Sequence, residues 1–128
     1  MKQVQDNCVF CKIVSESASR RTAEVVYEDK NFLAFLDINP RAPGHVQVIP
    51  KKHYRWVWDV LKAGEYFEVV KKIAAAQQRA FNEENIWVRV TGDEVAHAHI
   101  WVFPNPRAAG DKKDFKTNAE KIRKALSL

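Results

Sequence analysis

The sequence predicts an α+β fold: a five-stranded, antiparallel, meander-like sheet with two main helices on one side. Three observations point there. Five short stretches rich in β-branched and aromatic residues are bounded by turn residues. Apolar residues recur in steps of three and four over 59–81 and again over 114–126. Short connections between consecutive strands favour antiparallel pairing.

"VVYED" (25–29) and "FLAFLD" (32–37) read as strands joined through Lys30 and Asn31 in a hairpin. "INPRAPG" (38–44) is a proline-rich turn, and "HVQVIP" (45–50) alternates as a third strand. From Asp59 to Phe81 the apolar positions Val60, Ala63, Phe67, Val70, Ala74 and Phe81 have helical spacing. "NIWVRV" (85–90) and "AHIWVF" (98–103) are the last two strands, separated by the turn "TGDE". The tail sets Phe115, Ala119, Ile122 and Leu126 on one face of a helix over 114–126. The 128 residues predict one domain, 1–128, with its core over 8–103. A chain this long buries roughly two-thirds of its unfolded surface and needs no staples.

Composition excludes several classes. At 46% hydrophobic and 29% charged the chain is neither disordered nor fibrous. No apolar run approaches the ~20 residues of a membrane helix. The polar start "MKQVQDN" predicts no secretory leader, and hence a cytoplasmic protein. The net charge of +5 favours anionic partners, although Lys112, Lys113, Lys116 and the run 121–124 read as solvated faces.

The stretch with chemistry in it is "HAHIWVF" (97–103). Side chains alternate across a strand, so His97, His99, Trp101 and Phe103 share one face and the apolar Ala98, Ile100 and Val102 the other. Two surface histidines would explain the pattern equally well. Cys8 and Cys11, in "CVFC", form a redox pair or half a metal site. No strand precedes them, as a redox motif would prefer, so metal ranks first. His53 and His97 would complete a Cys2His2 zinc set and leave His99 free beside it, although the wide separation lends little weight on spacing alone.

The segments "CVFCKIV", "LAFLDINPRAPGHVQVIPKKH" and "HAHI" together resemble the histidine triad (HIT) superfamily of nucleotide-binding hydrolases and transferases. The resemblance runs from about Cys8 to Phe103. It implies a HIT-like fold, an antiparallel sheet with two main helices, and a homodimer. It implies that His99 is the nucleophile that attacks an α-phosphorus and carries a nucleotidyl intermediate. It places His45 near the active centre, Asp37 on the ribose hydroxyls, and Phe10, Ile13, Phe35 and Ile38 around the base. It gives Cys8, Cys11, His53 and His97 to a structural zinc. The implied ligand is a purine nucleotide or nucleotide conjugate; no membrane partner is expected, and nucleic acid is the least expected partner.

The chain departs from that family in two places. Trp101 stands where the third histidine would be, with one N–H donor and no acceptor, and it belongs with the substrate-binding residues. The loop before the histidines is short, and Asp93 and Glu94 replace the usual phosphate donors. Arg89 or Thr91 would have to compensate, or the acids must face outward. Trp56 and Trp58 read as packing at a turn or at a dimer contact. Two functions therefore compete: a zinc-stabilised hydrolase or nucleotidyl transferase, and a nucleotide-binding module that turns over slowly or not at all. Nucleic-acid binding, resting on charge and four tryptophans, is the weakest.

Overall fold

Among the described residues five strands form one antiparallel sheet in the order β1-β2-β3-β5-β4. They are β1 (Val25–Glu28), β2 (Phe32–Leu36), β3 (Val46–Pro50), β4 (Ile86–Val90) and β5 (Ile100–Pro104). Among the described residues three α-helices accompany them: α1 (Val9–Ser15), α2 (Ala63–Phe81) and α3 (Phe115–Leu126). This computed structural model describes residues 7–16 and 23–128. Most of the polar start read as carrying no leader lies outside them.

The α+β antiparallel class holds, but the sheet is not a simple meander. β5 inserts between β3 and β4, pairing Val46 with Val102 on one side and Val88 with Val102 on the other. The link from β3 to β4 contains all of α2, long enough to skip a position, whereas β4 and β5 are hairpin neighbours as expected. The histidine strand thus runs inside the sheet rather than along its edge.

The sheet divides two cores. Phe32, Ala34 and Leu36 of β2, Val46 and Val48 of β3, and Ile100 and Val102 of β5 pack on α2 and α3. Leu33, Phe35 and Ile49 point the other way and meet Phe10 and Cys11 of α1. The helices are therefore not all on one side, because α1 covers the opposite face. A seven-residue helix is too short for periodicity to assign its face.

The buried face of α2 also differs from the apolar spacing. It consists of Tyr66, Val69, Val70, Ile73, Ala76, Gln77 and Phe81, while Phe67 is exposed and Ala74 half-buried. Two polar residues decide the phase. The Tyr66 hydroxyl donates to the Val48 carbonyl at 2.7 Å. The Gln77 amide donates to the carbonyls of Gly44 at 2.9 Å and Val102 at 2.7 Å. These bonds tie the helix to the two strands that carry the site. Gly44 has φ +74°, and a Cβ there would stand 2.2 Å from the Phe81 ring. Glycine is required at that turn on both counts.

Candidate functional site

The site lies on the sheet face covered by α1. Cys8 caps α1, and its Sγ accepts the Cys11 backbone N–H at 3.4 Å. That turn sets both thiols inward, against His97 from the approach to β5 and His53 from the end of β3. Cys8 Sγ and Cys11 Sγ each lie 3.4 Å from His97 Nδ1, and Cys11 Sγ lies 3.2 Å from His53 Nδ1. All four donor atoms fall within 4.8 Å of one another. A tetrahedral zinc with bonds of about 2.0–2.3 Å needs ligand separations of about 3.4–3.8 Å. The donor set, two thiols and two imidazoles gathered within 4.8 Å, has the chemistry of that ion's ligands and stands close to those separations. The far nitrogen of His97 donates to the Pro50 carbonyl at 2.8 Å, which turns Nδ1 toward the sulfurs. Burial pulls the His97 pKa down to about 4, so the ring is neutral and its lone pair is available.

His99 follows in the alternation. Its Nδ1 donates to the His97 carbonyl oxygen at 2.7 Å. The proton is therefore held on Nδ1, leaving the lone pair on Nε2. The ring is only 2% exposed and meets the edge of Phe10 at 5.4 Å.

Beside it opens a cavity of about 390 Å³. Phe10, Ile13 and Phe35 supply apolar walls, Ile38 and Asp37 the rim, and Trp101 another side. Ile38 is 74% exposed and belongs to neither core, so plain packing does not account for it. Asp37 is held on both oxygens: Oδ1 accepts the Asn39 N–H at 2.7 Å and Oδ2 the Gln47 amide at 2.8 Å. Gln47, which no sequence motif marks, also lines the cavity. Its signal was a polar residue on the His45 strand, in register opposite Trp101.

His45 stacks on Phe103 at 4.8 Å and meets Trp101 edge-on at 5.2 Å. Its Nδ1 accepts the Arg41 N–H at 3.0 Å. Nε2 then carries the proton and stands 3.5 Å from Asp37 Oδ2, too far for a strong bond. Burial lowers the His45 pKa to about 4, only partly opposed by Asp37, so the contact is not an ion pair.

The cavity collects Asp37, Phe10, Ile13, Phe35, Ile38 and Trp101; His99 and His45 sit beneath it and do not line it. Trp101 is 97% covered, and its indole N–H has no acceptor among the described residues. Arg41 and Arg89 lie over its ring at 4.7 and 5.5 Å. Asp93 and Glu94 are exposed, and Glu94 stands at the cavity with Lys12. Trp56 and Trp58 stack in parallel at 5.7 Å, away from the cavity and against Gly92.

Comparison with known proteins places this architecture. The HIT domain profile matches residues 18–108, and the chain belongs to the HIT family. It is 39% identical over 115 residues to a HIT-like protein of Methanocaldococcus jannaschii, covering 84% of this chain and 86% of that one. It is 31% identical over 84 residues to the bifunctional adenosine 5'-phosphosulfate phosphorylase/adenylylsulfatase HINT4 of Arabidopsis thaliana, covering 66% of this chain and 56% of the relative. Among solved structures it is similar to a zinc-bound histidine triad family protein from Mycobacterium smegmatis: TM-score 0.78, 30% identity, 94% of each chain covered.

Proposed function

We propose that the protein is a nucleotide hydrolase or nucleotidyl transferase that works through His99. The observation that carries this is the 2.7 Å bond from His99 Nδ1 to the His97 carbonyl, which fixes the nucleophilic tautomer beside a nucleoside-sized cavity. In this reading Phe10, Ile13, Phe35 and Ile38 hold a purine base, and Asp37, oriented by Gln47 and Asn39, accepts the ribose hydroxyls. His99 Nε2 bonds to the α-phosphorus as the bond to the leaving group breaks. Water then cleaves the phosphorus–nitrogen bond and restores the imidazole. His45, neutral and with no hydrogen-bond partner on Nε2 among the described residues, faces the Asp37 carboxylate from 3.5 Å.

Cys8, Cys11, His53 and His97 would hold a structural zinc. When bound, the ion ties α1 to the end of β3 and the start of the histidine strand. Cys8 and Cys11 are buried and not joined in a disulfide, which suits a reducing compartment and supports a cytoplasmic location. Among the described residues no helix is long and apolar enough to cross a membrane. A homodimer, as the resemblance implies, fits the same reading.

The test is turnover of adenosine phosphoramidate, a dinucleoside tetraphosphate and a nucleotide with a fluorogenic leaving group, with His99→Ala alongside. Nucleoside monophosphate released by the wild type and lost in the variant is the expected result. One observation favours a second reading, a binding module with little turnover: His99 lies under Phe10 and outside the cavity lining, with Trp101 in place of a proton donor. Tight nucleotide binding with equal background rates in both proteins would establish that reading instead.

A further inference from the structure

A second concavity, of about 630 Å³, opens on the far side of Arg41 from the nucleotide cavity. Its walls include Trp87 and Phe103, and its charged groups are Arg41, Arg89 and Lys112. No carboxylate lines it, and none of the three cations is in a salt bridge among the described residues. Three like charges around one groove repel each other, and an anion between them relieves that repulsion.

The strand register explains why they converge. Arg89 is opposite Trp101, and Trp87 is opposite Phe103. Alternation puts both β4 side chains on the face that carries the histidine row. Arg41 comes from the proline-rich turn, where its Nη1 donates to the Asn39 carbonyl at 3.2 Å. Its remaining guanidinium donors stay available. Arg41 lines both the nucleotide cavity and the groove, so the two adjoin at its side chain.

We propose that Arg41, Arg89 and Lys112 form an anion subsite for a phosphoanhydride chain, the polyphosphate tail that continues from the α-phosphate. This rests on the nucleotide reading above for its direction and assigns the leaving group: anionic and phosphate-bearing rather than a neutral amine. Guanidinium groups pair with phosphate through charge-assisted hydrogen bonds. They offer donors where the shortened loop before His97 carries Asp93 and Glu94.

The experiment compares AMP, α,β-methylene-ATP and inorganic tripolyphosphate by calorimetry, on wild type, Arg89→Gln and Lys112→Gln. Lys112 is exposed and outside both cores, so its variant stays informative should Arg89→Gln disturb Trp101. The wild type is expected to bind the triphosphate analogue at least about tenfold more tightly than AMP, with the advantage shrinking as salt rises. Each substitution should remove most of that advantage and weaken tripolyphosphate binding. Equal affinities for AMP and the analogue, or an advantage that survives both substitutions, would overturn the subsite while leaving the nucleotide reading intact. Tripolyphosphate binding that depends on Arg89 and Lys112, without any AMP binding, would support the subsite and sink the nucleotide reading.

Discussion

The His97 carbonyl accepts from His99 Nδ1 at 2.7 Å, while the His97 ring itself lies 3.4 Å from two cysteine sulfurs. One residue thus orients His99 with its backbone and joins the cluster of Cys8, Cys11 and His53 with its side chain. Whatever fixes His97 also fixes His99.

Zinc should therefore matter to more than stability. The purified protein is expected to carry about one zinc per chain, measured by metal analysis after chelator-free preparation. His53→Ala removes a ligand without touching the His97–His99 bond. The zinc-loaded variant should melt at least about 5 °C lower, a change of roughly 1–2 kcal/mol in a chain this size. An unchanged melting temperature would remove His53 from the metal set.

Asp37→Ala should weaken AMP binding about tenfold or more, because a diol would lose a carboxylate already aligned by Asn39 and Gln47. The control is a nucleotide lacking both ribose hydroxyls, whose affinity should be nearly equal in the two proteins. Comparable losses for both ligands would show that Asp37 supports the fold rather than the sugar.

His45 makes the protein acid-sensitive. Its folded pKa is depressed to about 4, below the ordinary 6.5. The unfolded chain therefore takes up a proton first as pH falls. Stability from this group is complete above about pH 6.5 and is lost progressively between there and pH 4, to the extent of a few kcal/mol, on the order of 3. Urea unfolding across that range should show a shallower loss in His45→Gln than in wild type. Parallel curves would mean that His45 contributes nothing to the acid lability.

Gly44→Ala should destabilise by about 2–4 kcal/mol, since the methyl group would meet the Phe81 ring in a left-handed turn. Chemical denaturation measures it directly. A loss under about 0.5 kcal/mol would show that Phe81 and the turn can move together.

Much of this was legible before the structure. The alternation in "HAHIWVF" assigned His97, His99, Trp101 and Phe103 to one face, and that face is the one opposite the long helices. The converging of Cys8, Cys11, His53 and His97 could be suspected, but spacing across more than 40 residues carried little information about it. Strand order was missed because short links argue only for neighbours, and the β3–β4 link is long. The phase of α2 was missed because Tyr66 and Gln77 are buried for their hydrogen bonds, which apolar counting ignores. Gln47 and the Pro50 carbonyl orient Asp37 and His97 from β3, and neither has a motif of its own. The groove of Arg41, Arg89 and Lys112 depends on β4 and the proline-rich turn meeting at β5, a tertiary fact.

The most direct test of the account is chemical. Wild-type protein mixed with a substrate nucleotide is quenched at alkaline pH, where a phosphorus–nitrogen bond survives, and its peptides are mapped by mass. The account predicts a nucleotidyl adduct on the peptide containing His99, absent from His99→Ala. Turnover without any adduct, or an adduct on another histidine, would contradict it.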